Sequence, residues 1–124
     1  GVPDWPQTPY VRPEGIWEIP MPTLTMLGRQ LPIAGGGYFR LMPYWLSKLL
    51  ISKFLAEDKM PYMFYFHPWE IDPEQPRIAN AGLKSRFRHY VNLDRMEGKL
   101  DLLLNDFQWG SFSQVYQDQL ARSN

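Results

Sequence analysis

His67 is the residue whose surroundings in the sequence most resemble those of a catalytic group. It is one of only two histidines, and it follows the apolar run of YMFYFHPWEID, in which Glu70 and Asp72 come next. Imidazole titrates near neutral pH and can give a proton to a leaving group. A nearby carboxylate can orient the ring or raise its pKa. A histidine that only closes a strand by bonding to the loop backbone is an equally good interpretation.

A metal site is the second chemistry that these residue types permit. His67, Glu70, Asp72 and His89 are all side chains that zinc accepts as ligands. Their spacing matches no short metal-binding motif, and a closed site needs three or four converging ligands. Ordinary loop acids are the better interpretation, so we predict no metal site formed by this chain alone.

The segment AGGGYFR is glycine-rich and leads toward a helix, as phosphate-binding loops do. It lacks the lysine of a P-loop and the G-x-G-x-x-G spacing. Its glycines more simply allow the backbone to approach a substrate or a neighbouring strand closely. Tyr38 and Arg40 are candidates for substrate binding, although an ion pair on the surface is a slightly better interpretation of Arg40.

Aromatic and basic residues suggest a carbohydrate or anion site. Trp69, next but one to His67, is a candidate for stacking on a sugar ring, whereas the predicted elements put Trp17, Trp45 and Trp109 in the core. The segment SRFRHYVNLDR would suit an anionic or hydroxyl-rich ligand. Its better interpretation is structural: it ties a long loop back to the acids of WEIDPE.

Composition excludes several classes of protein. Thirteen basic residues balance thirteen acidic ones, which argues against nucleic-acid binding, because that function requires a strongly basic face. The absence of cysteine excludes disulfides and thiolate catalysis. No apolar run approaches the roughly 20 residues that span a bilayer. With 44% hydrophobic residues, the chain can form a packed core as a single region, residues 1–124.

The apolar pattern predicts alternating strands and helices. Proline-rich residues 1–15 predict an extended lead-in, and residues 67–90 a long loop. The predicted strands are 16–19, 61–66 and 109–112; the predicted helices are 43–57, 93–107 and 113–121, and the pattern leaves 23–34 unassigned and makes 35–37 a turn. Alternation of this kind is typical of an α/β fold with parallel strands, here incomplete. His67 would then lie at the carboxyl end of a strand, where functional residues collect.

The segments GGGYFR, FYFHPWEIDPEQPR and RFRHYVNLDR carry a resemblance to a known family. The chain resembles, over nearly its whole length, the C-terminal region of bacterial NodB-like polysaccharide deacetylases, in the subgroup found with exopolysaccharide and exosortase gene clusters. The resemblance implies the C-terminal part of a deformed (β/α) barrel and hydrolysis of N-acetyl groups on the amino sugars of a polysaccharide. It also implies a divalent metal, commonly zinc, with an aspartate as base and a late histidine as general acid, which His67 matches.

The sequence departs from the family's pattern at the metal site. Nothing here matches the family's T-F-D-D motif or its paired metal-binding histidines, so the metal and the base are expected in an N-terminal half of the barrel outside this chain. The segment alone is then expected to be inactive, supplying His67 and the sugar-site residues Trp69, Glu70, Asp72, Arg40 and Tyr38. The alternative is a non-catalytic carbohydrate- or partner-binding module. Exposed strand edges would favour a homodimer or aggregation of the isolated chain.

Overall fold

A computed structural model describes residues 6–57 and 60–121. Trp5 and the rest of 1–5 in the predicted lead-in lie outside the described residues. The strands are β1 (Tyr10–Val11), β2 (Trp17–Glu18), β3 (Thr23–Met26) and β4 (Arg29–Pro32). The helices are α1 (Gly36–Leu41), α2 (Tyr44–Glu57), a 3₁₀ turn (Pro68–Ile71), α3 (Leu83–Tyr90), α4 (Leu93–Asp106), α5 (Phe112–Val115) and α6 (Gln117–Ala121). None of the helices within these ranges is long and apolar enough to cross a membrane.

The named strands form two antiparallel hairpins, β1–β2 and β3–β4. The second occupies the stretch that the sequence left unassigned, and it turns at Leu27 and Gly28, which both have positive φ (51° and 75°). Two consecutive residues of positive φ suit the right-handed twist of a hairpin, and glycine adopts that conformation without strain. The first hairpin includes part of the predicted lead-in. Residues 10–11 form β1 and pair with β2, so this part is a short strand and not an unpaired extended segment.

Helices α2 and α4 confirm the two longest predicted helices to within a residue at each end. Apolar spacing predicts that α2 buries a stripe of five residues: Leu46, Leu49, Leu50, Phe54 and Leu55. The buried side is turned from this stripe, because Ile51 is buried whereas Leu49 is 58% exposed. The buried core forms two clusters, one of Leu24, Ile33, Leu50 and Phe54 and one of Phe39, Ile51, Met96 and Leu103. Since α2 contributes to both clusters, its buried side faces between the hairpin β3–β4 on one flank and α1 with α4 on the other.

The predicted parallel strands are largely absent from the described residues. Segment 61–66 forms only a single parallel bridge, Gly35 to Tyr65. Segment 109–112 is not a strand, because Ser111 caps α5 and its hydroxyl accepts from the Gln114 N–H. The deformed barrel stays a prediction.

Two tryptophans assigned to the core are exposed. Trp45 is 67% exposed on α2, and Trp109 is 40% exposed, with its indole N–H donating to the Leu103 carbonyl at 3.1 Å. Trp17 is half-buried, and its indole nitrogen is buried. The prediction of a core position was therefore wrong for Trp45, whose helix is rotated, and for Trp109, whose predicted strand is absent.

The predicted loop 67–90 contains two helical segments. Pro68 begins the 3₁₀ turn, and the Glu70 side chain accepts the His67 backbone N–H at its start. Helix α3 has no side-chain cap at Gly82 and buries none of its residues.

Candidate functional site

The three segments that carry the family resemblance meet at one cleft of about 280 Å³. Gly36, Gly37 and Arg40 come from the first segment; Tyr65, His67, Trp69 and Glu70 come from the second; Ser85, Arg88 and His89 complete the lining. Residues that are distant in the sequence are thus adjacent, and four predicted site residues, His67, Trp69, Glu70 and Arg40, lie together.

The parallel bridge positions the glycine segment beside the end of the apolar run. The Tyr65 N–H donates to the Ala34 carbonyl at 2.9 Å, and the Gly36 N–H donates to the Tyr65 carbonyl at 3.1 Å. His67 follows two residues later; its backbone N–H donates to Glu70 Oε2 at 2.8 Å. The backbone of His67 is therefore fixed, whereas its side chain is exposed at the mouth of the cleft.

Arg40 and Glu70 form a buried ion pair within the lining of the cleft. Arg40 Nε lies 3.0 Å from Glu70 Oε1, and the two side chains are only 2% and 3% exposed. The remaining guanidinium nitrogens donate to the carbonyls of Arg88, His89 and Val91 at 3.2, 3.1 and 2.7 Å. The pair therefore joins α1, the 3₁₀ turn and the end of α3, and its polar atoms are occupied by the protein itself.

This arrangement revises two expectations from the sequence. Arg40 does form an ion pair, but in the interior and not on the surface. The structure uses both Arg40 and Glu70, predicted to bind substrate, to hold the cleft together. The link between the WEIDPE acids and the basic segment runs through Arg40, which bonds to that segment's backbone carbonyls and not to its side chains.

Asn92, between α3 and α4, and Lys99, on α4, complete the support of α1. Asn92, with a positive φ of 54°, donates from its side chain to the Arg40 carbonyl at 2.7 Å and does not cap α4 with its side chain. Lys99 Nζ donates to the carbonyls of Phe39, Arg40 and Met42, groups that the end of a helix leaves without partners. Burial, with the charges of Arg95 and Arg40, lowers the pKa of Lys99.

Trp69 lies in a stack of rings. Its ring is parallel to that of His89 at a centroid distance of 3.9 Å, and Arg40 Cζ lies 5.1 Å from the Trp69 ring centroid. His89 is held in turn, since its Nε2 lies 3.0 Å from Gln75 Oε1, and Gln75 Nε2 donates to the Trp69 carbonyl. His89 therefore covers one face of Trp69, a contact that no short motif in the sequence could have indicated.

Asp72 and Tyr38, the other predicted site residues, do not line the cleft. Asp72 is exposed and accepts the Glu74 N–H at 3.2 Å, and Tyr38 is 52% exposed on α1. Among residues 6–57 and 60–121, no group of three or more histidines and acids is placed to hold a metal ion. Both Glu70 oxygens accept hydrogen bonds within the protein, one from Arg40 and one from the His67 N–H.

Comparison with known families assigns the chain. The model of a family described as Domain of unknown function (DUF3473) matches residues 1–117. Comparisons with curated proteins and with solved structures gave no match. Because the matched range covers almost all of the 124 residues, the chain belongs to the DUF3473 family.

Proposed function

We propose that this chain is the C-terminal part of a metal-dependent polysaccharide deacetylase, which removes N-acetyl groups from the amino sugars of an exopolysaccharide. The observation that carries the proposal is the convergence of the three resembling segments on one cleft with His67 at its mouth. The parallel bridge between Gly35 and Tyr65 also supports the deformed barrel that the resemblance implies, because that fold is built on parallel strands.

In this proposal His67 is the general acid. Its backbone is held by Glu70 while its ring is exposed to a substrate. During hydrolysis the oxygen of a water molecule bonds to the acetyl carbon, and a proton of that water passes to the base expected in the N-terminal part outside this chain. The bond from the acetyl carbon to the sugar nitrogen breaks. The imidazolium of His67 gives its proton to the departing nitrogen, so that the products are acetate and an amino sugar. Arg40 and Glu70 act as positioning residues for this group.

The described residues do not fit a metal ion, so no step is assigned to one here. The divalent metal of the proposed enzyme, commonly zinc in the family that the chain resembles, would be bound by an N-terminal part outside this chain. When bound, such a metal supplies polarisation of the acetamide carbonyl and activation of water.

The test compares His67→Gln with His89→Gln in the full-length protein. Acetate release from N-acetylglucosamine oligomers should fall about 10²- to 10⁴-fold in the His67 variant, the usual contribution of a positioned general acid. Hydrolysis of para-nitrophenyl acetate should change little, because its leaving group needs no proton. His89→Gln, which alters an imidazole in the same cleft, should leave the ratio of the two rates unchanged. Equal losses on both substrates in the His67 variant would sink its role as acid.

A non-catalytic glycan-binding module is the second candidate. It is favoured by the use of Arg40, Glu70 and one face of Trp69 in internal contacts, which leaves few of the predicted groups for chemistry. Full-length protein that binds N-acetylglucosamine oligomers but releases no acetate with zinc, cobalt or manganese added would establish this module in place of the enzyme.

A further inference from the structure

Helix α3 separates the cleft from a second concave surface of about 430 Å³. We name it the arginine groove; Arg77, Leu83, Arg86, Phe87, Tyr90 and Val91 line it. At 3.6 residues per turn, the groove residues of α3 lie on the side of the helix opposite Ser85, Arg88 and His89, which line the cleft. A helix is about 10 Å across with its side chains, a distance that a few linked sugars can bridge.

The groove belongs to a strongly basic part of a chain whose total charge is zero. Residues 77–95 contain five basic residues, Arg77, Lys84, Arg86, Arg88 and Arg95, against one acid, Asp94. None of these five takes part in the ion pairs found among the described residues. Glu70, a buried acid that lines the neighbouring cleft, is already paired with Arg40. The positive charge of this surface is therefore available to an external anion.

Contacts within the groove hold one of its two arginines in place. Arg77 Cζ lies 4.4 Å from the centroid of the Tyr90 ring, and the Tyr90 hydroxyl accepts the Ile78 N–H at 3.0 Å. A guanidinium stacked on a ring keeps its in-plane N–H groups free, and these match a carboxylate in pairs. Phe87, 61% exposed beside them, offers an apolar surface to a sugar ring.

We propose that the arginine groove binds an acidic glycan, a polymer whose sugars carry carboxylates, while an N-acetylated sugar of the same polymer occupies the cleft. The inference rests on the proposed deacetylase function and narrows its substrate to anionic amino-sugar polymers. A membrane surface fits less well, because α3 has eight residues and its exposed apolar groups are essentially Leu83 and Phe87. An amphipathic helix that lies in a membrane needs a larger apolar face.

The experiment measures binding of the full-length protein to polymannuronate oligosaccharides, which carry one carboxylate on each sugar, and to neutral dextran of equal length. Arg77→Glu and Arg86→Glu should each weaken polymannuronate binding about tenfold at low salt, because charge reversal at a contact replaces attraction by repulsion. Arg29→Glu, at an exposed arginine of the hairpin β3–β4, is the matched control and should change it less than about twofold. All three variants should keep acetate release from short neutral N-acetylglucosamine oligomers.

The outcomes separate this inference from the function on which it rests. Equal binding of dextran and polymannuronate, or equal losses in the Arg29 and Arg86 variants, would overturn the groove assignment while leaving the deacetylase proposal intact. Binding to phosphatidylserine vesicles but not to polymannuronate would overturn it in favour of a membrane. Arginine-dependent polymannuronate binding without acetate release from any glycan would support the groove and defeat the deacetylase.

Discussion

Among the described residues, two arginine–glutamate pairs of equal length lie in different surroundings. Arg40 and Glu70 are joined at 3.0 Å and are 2% and 3% exposed; Arg12 and Glu18 are also joined at 3.0 Å but are 43% and 32% exposed. The attraction between two charges depends on the dielectric around them as much as on distance. Two ion pairs of equal length can therefore contribute differently to the stability of the fold and of the cleft.

The two pairs also differ in what they join. Arg12 and Glu18 are six residues apart in the hairpin β1–β2, so their pairing orders only local chain. Arg40 and Glu70 are 30 residues apart, and Arg40 also bonds to three backbone carbonyls beyond them. Removing one member of the buried pair leaves the other charge without a partner in a region that water does not reach. The comparison shows that the buried charges of Arg40 and Glu70 hold the cleft together. The side chain of His67, by contrast, is exposed to solvent.

Glu70→Ala should produce the largest effect. Breaking a buried ion pair by removing one partner costs about 3–5 kcal/mol, because the remaining charge is left uncompensated. The substitution also removes the acceptor of the His67 N–H. Unfolding in urea measures the loss, with Glu18→Ala as the matched control that should change little. Should Glu70→Ala fail to fold, Glu70→Gln provides a milder variant; equal stabilities of the Gln variants at the two sites would refute the comparison.

Gly36→Ala tests how closely the buried pair is packed. A Cβ built at Gly36 would lie 2.7 Å from Glu70 Oε1 and 2.8 Å from its Cδ, whereas a Cβ at Gly37 meets nothing within 4 Å. Overpacking of this kind costs typically about 1–3 kcal/mol. Gly37→Ala, the neighbouring control, should be neutral or slightly stabilising, since alanine favours helix. The free energies of unfolding of the two variants decide this, and a neutral Gly36→Ala would show that the Glu70 carboxylate can move aside.

The sequence was informative where structure is local. Apolar spacing predicted α2 and α4. His67, expected at the carboxyl end of a strand, lines the cleft, although the segment before it forms only a single bridge. Prediction from the sequence failed for α3, which was assigned to a long loop although Leu83, Phe87 and Tyr90 recur at helical spacing. It also failed for segment 109–112, where the aromatic content suggested a strand but the capping box of Ser111 and Gln114 starts a helix.

The contacts that build the cleft are non-local, and no pattern along the chain encodes them. Arg40 and Glu70 lie 30 residues apart, and Asn92 reaches the Arg40 carbonyl across 52 residues. Single residues carry no signal of which distant partner they meet. The glycines did carry part of this signal, since close approach was expected of them and Gly36 packs against Glu70.

Tyr62→Phe extends the comparison to a neutral, half-buried group. The Tyr62 hydroxyl donates to the Ile33 carbonyl at 2.5 Å, and burial raises its pKa above the usual value near 10. Because the folded pKa is the higher one, stability is complete below pH 10 and is lost as pH rises beyond it, by up to about 1.4 kcal/mol per pH unit. Tyr62→Phe should reduce this slope, measured by urea unfolding between pH 9 and 11, whereas exposed Tyr38→Phe should not. Identical slopes in wild type and Tyr62→Phe would contradict the burial of that hydroxyl.

Glu18→Gln should have the smallest effect and so gives the comparison its lower limit. The hydrogen bonds that Arg12 donates to Glu18 and Glu14 raise the pKa of Arg12, but both partners of the pair remain in contact with water, which screens the charges. The urea midpoint of the variant should equal that of wild type within error, both at low salt and at about 1 M salt, where the Debye length is near 3 Å. A clear loss at low salt that disappears at high salt would mean that the hairpin β1–β2 depends on this pair. The exposed fraction of the side chains would then no longer predict which ion pair stabilises the fold. The structural role of Arg40 and Glu70 would be supported only by the hydrogen bonds that Arg40 donates to backbone carbonyls.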